Sequence, residues 1–188
     1  VLTKLFNVAR FASQFEVPAD LETPPENLAI EDEWILAEFQ ETMDTVREAW
    51  SELDIYTATQ ALTTFGTGVL PSHYLEMVKS RLYDDDVAAA WTLHRIVRDF
   101  MSAFTPVCPF FTHHVSSTIY GASAVDVEAF PPHAYPSVAP GTEHGDALRT
   151  LSQAIQTFNG DTWGHKKEQG ISLNQPVTGV AIPEALSE

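Results

Sequence analysis

The sequence predicts a mainly α fold: an antiparallel bundle of about five helices in residues 1–120, followed by a small α/β appendage in residues 121–188. Apolar residues recur at three- and four-residue spacing through most of the first part. Prolines, glycines and a run of three aspartates interrupt that pattern, as between helices. The second part is richer in proline, alanine and histidine and ends with a short β-branched run.

The first two helices are predicted for residues 4–15 and 31–53, and the prolines Pro18, Pro24 and Pro25 indicate a loop between them. Three acidic residues open the second helix, where they suit the positive end of the helix dipole. The apolar stripes of the two helices consist of Leu5, Val8, Phe11, Ala12 and Phe15, and of Ile35, Phe39, Met43, Val46, Trp50 and Leu53.

A third helical stretch is predicted for residues 55–82, with a kink near residues 69–72 because a proline there removes a backbone donor and clashes with the preceding turn. The three aspartates of residues 84–86 should form a turn and cap a fourth helix, which ends before Pro106. A fifth helix is predicted for residues 109–119. All five have the length and apolar spacing of bundle helices.

The appendage is predicted to run loop, strand, helix, strand. Gly121 should stop the fifth helix, and residues 125–129 form a candidate strand in an otherwise irregular stretch. A sixth helix is expected from about residue 142 to the glycine at position 170. The β-branched run 177–182 is the second candidate strand.

The charge of the chain is unusual, with 26 acidic against 10 basic residues and a net charge of −16. Such a surface repels RNA at low ionic strength. A disordered acidic tail is excluded, since the acids are spread through amphipathic helices and 44% of the residues are apolar. Two interpretations stay open. The protein either works in concentrated salt, where charges are screened within about 3 Å at 1 M, or is an acidic domain of an ordinary mesophile.

The sequence also bears on the protein's setting. No apolar run approaches the roughly 18 residues that span a bilayer, and no secretory signal is present. A single cysteine, Cys108, forms no internal disulfide, which favours a reducing cytoplasm. The first residue is Val1 and already belongs to a helical pattern, so we expect a piece of a longer protein, and we expect it to be monomeric.

Signatures of catalysis are missing from the sequence. It contains no glycine-rich phosphate loop, no HExxH or CxxC metal motif and no GxSxG serine elbow. We therefore expect no catalytic residue, no metal site and no cofactor in this chain.

The few basic residues lie close to aromatic residues in several helices. Such combinations can hold phosphates and stack bases, although each cation alone is equally compatible with an ordinary helix surface. The candidate RNA-binding residues are Lys4, Arg10, Tyr74, Lys79, Arg81, Arg95, Arg98, Lys166 and Lys167.

Five segments, in order along nearly the whole chain, carry a family resemblance. Residues 4–11 (KLFNVARF) are similar to the K-L-W-N-x-x-R-F helix that follows the catalytic part of valyl-tRNA synthetases, with phenylalanine for tryptophan. Residues 32–36 (DEWIL) resemble D-x-W-I-L, and residues 74–82 (YLEMVKSRL) resemble Y-I-E-L-V-K-P-R-L. Residues 104–112 (FTPVCPFFT) match a segment shared among related class I synthetases. Residues 166–174 (KKEQGISLN) resemble K-K-x-x-G-L-S-L-N and favour the archaeal valine type.

The resemblance implies a helix bundle that receives the anticodon arm of the valine tRNA and lies against the catalytic domain of its parent chain. The parent would attach valine to tRNA with ATP and magnesium. The HIGH, KMSKS and editing motifs that carry this chemistry are absent here, so the fragment is expected to be non-catalytic. Residues 66–68 and 72–74 depart from the family pattern, which leaves any base contact there unassigned.

A second interpretation is an acidic helical scaffold for protein interactions without RNA binding. The two interpretations differ in the surface that favours each of them. A neutral or positive cleft lined by Lys79, Arg81, Arg95 and Arg98 on an otherwise acidic body favours RNA binding, whereas uniform negative potential favours a scaffold.

Overall fold

A computed structural model of the chain describes residues 1–122, 135, 138–139, 141–172, 175–177, 180–183 and 186. Regular structure in these residues is helical throughout. It consists of α1 (Leu2–Ala12), α2 (Ile30–Ser51), α3 (Ile55–Thr64), a π-helical segment (Phe65–Tyr74), α4 (Leu75–Tyr83), α5 (Val87–Phe104), α6 (Pro109–Tyr120) and α7 (Glu143–Glu168). The prediction of a helix bundle is confirmed.

Helix α5 is the centre of the bundle. Apolar side chains are buried on every side of it, which is typical of a helix enclosed by its neighbours, and α1, α2, α3, α4 and α6 all pack against it. Its first turn is capped as predicted, because the Asp86 carboxylate accepts hydrogen bonds from the backbone N–H groups of Ala88 and Ala89 at 2.9 and 3.1 Å. The cap fixes where the central helix begins.

The ends of α6 also follow the sequence. Pro109 occupies the first turn, where its missing N–H costs nothing. Gly121 follows the helix with a φ of 64°, a left-handed conformation that glycine adopts without strain. Helix α1 is shorter than predicted and ends at Ala12 rather than near residue 15.

The expected kink in the third helical stretch is instead a ten-residue π-helical segment, Phe65–Tyr74. It includes Pro71, which cannot donate a backbone hydrogen bond. Gly66 allows this segment to approach its neighbours closely. A Cβ at that position would lie 2.6 Å from the Phe100 ring and 2.7 Å from Leu5. The sequence therefore placed the irregularity correctly but not its form.

The prediction of an α/β appendage is not supported. Helix α7 is present, and it packs against α2 and the π-helical segment. Leu148 of α7 is buried in the common core, and Ile155 packs against that core. The described residues of the run 177–182 form no strand, and the described part of the chain contains no strand that could pair with them. The run 125–129 lies outside the described residues, and the boundary at residue 121 stays a prediction.

No helix in the described ranges is long and apolar enough to cross a membrane.

Candidate nucleic-acid interface

A groove of about 300 Å³, the α1–α4 groove, lies between α1, the π-helical segment and α4. Its walls carry two lysines, one aromatic ring and several small polar side chains. The groove is lined, among others, by Lys4, Asn7 and Phe11 of α1, Thr67, Pro71 and Ser72 of the π-helical segment, and Glu76 and Lys79 of α4. Two cations facing one groove stand out on a chain with a net charge of −16.

Both lysines of this groove keep access to solvent. The exposed Lys4 donates from Nζ to the Thr67 carbonyl oxygen at 3.3 Å, which holds it over the groove. Lys79 pairs with Glu76 one turn before it, and 37% of its side chain is exposed. An exposed pair of this kind is worth little, so a phosphate can compete with Glu76 for the ammonium group.

Aromatic rings continue from the groove along α1 and α4. Phe11, in the groove wall, lies 5.1 Å from Phe15 and 6.4 Å from Tyr83 between ring centroids. Phe15 and Tyr83 are 5.6 Å apart, and Tyr83 is 63% exposed. Tyr83 follows Lys79 by one helical turn, so the two share a face of α4. Rings beside ammonium groups can stack a base while a neighbouring phosphate is neutralised.

Three carboxylates surround the guanidinium group of Arg81. Its guanidinium contacts Glu31 at 2.8 Å, Asp32 at 2.7 Å and Asp86 at 2.9 Å, which occupies all three of its nitrogens. Burial lowers the pKa of Arg81 but the carboxylates raise it more, and its net pKa lies above the ordinary value. Burial also opposes ionisation of Asp86, yet the hydrogen bond from Arg81 brings the pKa of Asp86 below its usual range.

Tyr74 belongs to the same network. It is fully buried, and its hydroxyl donates to Asp32 Oδ1 at 2.7 Å. The other oxygen of Asp32 accepts from Arg81 and from the backbone N–H of Ala29. Burial, and then the charge of Asp32, raise the pKa of Tyr74 well above its ordinary value. This network ties the end of the π-helical segment to the start of α2 and to α4.

Arg95 and Arg98 lie in a second carboxylate cluster on α5. Arg95 Nε donates to Asp99 at 2.7 Å, and Arg98 donates to the same carboxylate at 3.2 Å. Both arginines also contact Glu22, and the buried Arg95 donates to the Leu21 carbonyl oxygen at 2.6 Å. The pair therefore fixes the loop after α1 onto α5.

Comparison with known proteins places the chain in a family. Residues 32–182 match the family described as the anticodon-binding domain of tRNA ligase. The chain belongs to this family of anticodon-binding domains. It is 30% identical to the valine–tRNA ligase of Saccharolobus solfataricus over 95% of its length, and 31% identical to that of Aeropyrum pernix over 96%. The valine–tRNA ligase of Haloarcula marismortui is 28% identical over 97% of the chain.

The chain spans about a fifth of the length of these three relatives. The family match begins at residue 32, inside α2, but the alignments with the archaeal ligases extend over nearly the whole chain. The likeness to these ligases therefore reaches beyond the part that the family match covers.

In this anticodon-binding domain the predicted RNA-binding residues do not share one cleft. Only Lys4 and Lys79 face the α1–α4 groove. The expected cleft of Lys79, Arg81, Arg95 and Arg98 is not formed, because the three guanidinium groups are drawn into the two carboxylate clusters. A partly buried cation without a carboxylate would leave its desolvation uncompensated. Whether any of these residues contacts RNA stays a prediction.

The remaining predicted cations lie elsewhere on the domain. Arg10 is exposed on α1. It precedes Phe11 of the groove wall in sequence, but it does not line the groove itself. Lys166 is buried near the end of α7, and Lys167 beside it is exposed. They are not brought together with the lysines of the groove.

Sequence reasoning missed the polar and aromatic partners of the two lysines. Asn7 and Phe11 follow Lys4 by three and seven residues, so the period of α1 alone would have placed them on one face. The contributions of Thr67 and Ser72 had no such signal, because their orientation depends on the π-helical segment. Among the described residues, no three His, Cys, Asp or Glu side chains are grouped to hold a metal ion.

Proposed function

We propose that this domain binds the anticodon arm of the valine tRNA as part of a valine–tRNA ligase. Its family and its likeness to archaeal valine–tRNA ligases support this proposal. The observation that carries it is the α1–α4 groove, which Lys4, Lys79 and the ring of Phe11 line together on an otherwise acidic protein.

In the proposed complex, different side chains of the groove bind the phosphates and the bases of the RNA. The ammonium groups of Lys4 and Lys79 neutralise phosphates, and the rings of Phe11 and Tyr83 stack unpaired bases. Asn7 offers an amide at the same wall, so it can hydrogen-bond to a base edge. In this proposal the domain contributes binding only. Activation of valine with ATP and magnesium takes place in the catalytic domain of the ligase, which the bundle adjoins.

In this proposal Tyr74 and Arg81 act on the walls of the groove rather than on the RNA, and Arg95 and Arg98 fix the loop after α1 onto α5. Arg81 and Tyr74 hold α4 and the π-helical segment against α2, so they set the position of Lys79 relative to α1. Arg10 and Lys167 are exposed and can contact the edge of the RNA outside the groove, whereas Lys166 is buried.

We further propose that the domain works in concentrated salt, as a monomer in the cytoplasm. The net charge of −16 supports this, since close like charges are tolerated where the Debye length is about 3 Å. Salt also competes with lysine for phosphate, so stacking, at about 1–3 kcal/mol per base, has to supply more of the affinity.

The test is binding of a hairpin with the anticodon loop of the valine tRNA, compared with a hairpin of scrambled loop sequence. We expect tighter binding of the first hairpin, and weaker binding after Lys4→Ala or Phe11→Ala. Arg47→Ala is the matched control, because it removes one charge from α2 outside the groove. Equal affinity for both hairpins would contradict sequence recognition. Binding of a lysine-rich peptide but of neither hairpin would favour the acidic scaffold instead.

A further inference from the structure

A second and larger groove, of about 910 Å³, lies between α2, α3, the π-helical segment and α7. Its lining differs from that of the first groove. Side chains that hydrogen-bond without carrying a charge dominate it, among them Thr42, Thr45, Gln60, Gln153 and Gln156. Hydroxyl and amide groups of this kind can pair with the edges of bases and give them direction without a phosphate contact.

Charges in this second groove exclude phosphate. Arg149 is the cation in its described lining, and its guanidinium already contacts Asp146 at 3.3 Å and the Val138 carbonyl oxygen at 2.9 Å. Glu38 and Glu41 of α2 line the same groove. A phosphate entering here would meet two carboxyl groups and no available cation, whereas a neutral base would not be repelled.

One exposed ring stands at the edge of this groove. Tyr56, near the start of α3, is 77% exposed and lines the groove. Its ring stacks on no other aromatic side chain within the described part of the chain. An aromatic ring in this position offers a free face to an unpaired base.

The two grooves share a wall. The π-helical segment contributes Thr67 and Ser72 to the first groove, and Val69 and His73 to the second. Gly68 lies between these positions, and a Cβ there would meet nothing within 4 Å. At Gly68, between the two grooves, there is therefore no side chain to block a single strand.

We propose that the second groove is a base-binding subsite, in which an unpaired nucleotide of the same RNA stacks on Tyr56 while its phosphates stay outside. The proposal rests on the proposed function and extends it, because the RNA loop then occupies both sides of the π-helical segment. Gln60, exposed on the same helix one turn after Tyr56, hydrogen-bonds to the stacked base.

The test measures hairpin affinity of the 188-residue chain across a salt series. Tyr56→Ala should weaken binding about tenfold, the loss expected for one stacked base, and should leave the salt dependence unchanged because no phosphate contact is removed. Gln60→Ala should weaken it less, in the same manner. Phe110→Ala is the matched control, since this ring on α6 is 91% exposed and lines neither groove.

The outcomes separate the two proposals. If Lys4→Ala weakens hairpin binding while Tyr56→Ala behaves like Phe110→Ala, the second subsite is refuted and the first groove stands. If Tyr56→Ala lowers the salt dependence, a phosphate enters the groove and the base-binding assignment is wrong. If the unaltered chain binds neither hairpin, both proposals fall.

Discussion

Arg81 and Lys79 are two residues apart on α4, yet the structure assigns them opposite consequences when each is replaced by alanine. Arg81→Ala removes the cation shared by Glu31, Asp32 and Asp86. Lys79→Ala removes one ion pair with Glu76 and one of the two lysines of the α1–α4 groove. We expect the first change to act on folding and the second on RNA binding.

The magnitudes follow from burial. Asp32 is 0% exposed, so without Arg81 it becomes an uncompensated buried charge, and breaking such a pair costs about 3–5 kcal/mol. Glu31 and Asp86 are a quarter to a third exposed and regain water, which places the expected loss at the lower end, about 3 kcal/mol. The pair of Lys79 is within one helix and partly exposed, so its loss should cost no more than about 0.5 kcal/mol.

Two assays separate the residues. Urea unfolding followed by circular dichroism gives the free energy of unfolding, and hairpin binding across a salt series gives the number of phosphates neutralised. Lys79→Ala should lower the slope of log affinity against log salt by about 0.7–0.9, the value for one phosphate contact. Arg81→Ala should leave that slope unchanged under conditions where it is folded.

Arg81→Lys is a further variant in this series. One ammonium group cannot match the forked geometry of a guanidinium between three carboxylates, so we expect a stability between those of the unaltered chain and of Arg81→Ala. The reasoning is refuted if Arg81→Ala costs less than about 1 kcal/mol, or if it lowers the salt slope as much as Lys79→Ala does.

Three other predictions concern packing, pH and salt. Gly66→Ala should destabilise the domain by about 1–3 kcal/mol in urea unfolding, because its Cβ would overlap the Phe100 ring, whereas Gly68→Ala should not destabilise it. Burial lowers the pKa of His94 in the folded state, so the imidazole of His94 binds a proton more readily in the unfolded chain. Stability should therefore fall as pH drops below about 6.5, and His94→Gln should flatten that profile while His114→Gln, at an exposed position, keeps it. The thermal midpoint should rise from about 0.1 to 1 M potassium chloride, as the Debye length shrinks from about 10 to 3 Å, and a falling midpoint would contradict a surface adapted to salt.

Apolar periodicity predicted the helices well, because the helices around α5 each bury an apolar stripe against the common core. The expected helix at residues 31–53 corresponds to Ile30–Ser51, and the expected turn at residues 84–86 caps α5. The π-helical segment could not be predicted in the same way. Gly66, Gly68 and Pro71 signal an irregularity, but its form depends on how closely the segment packs against α1 and α5.

The predicted C-terminal strand shows that local propensity alone does not form a strand. Residues 177–182 are rich in valine and isoleucine, which favour strands, but a strand also needs a partner with which to exchange hydrogen bonds. Among the described residues no such partner exists. Helix α7 was predicted because its stripe, including Leu148, needs only an apolar surface to bury it.

The candidate site was the least predictable part. Lys4 and Lys79 are candidates because they are basic, and the structure shows that both side chains reach solvent at one groove. The same reasoning selected Arg81, whose carboxylate partner Asp32 is 49 residues away in sequence. That pairing is revealed only by the folded structure, in which the side chain of Arg81 on α4 reaches the start of α2. The chain has more than two acidic residues for each basic one, so a basic side chain is more often in an ion pair with a carboxylate than available to RNA.

The stacking of Trp163 on His73 makes Trp163 an intrinsic fluorescence probe of the contact between α7 and the π-helical segment. The two rings are 5.3 Å apart between centroids, one on α7 and one on the π-helical segment. Trp34 and Trp91 are buried between helices of the bundle, so their emission reports unfolding of the core. In the variant Trp50→Phe, a change in tryptophan fluorescence that precedes unfolding of the core would come from Trp163. Stopped-flow fluorescence can then time the departure of α7 from the bundle without any attached dye.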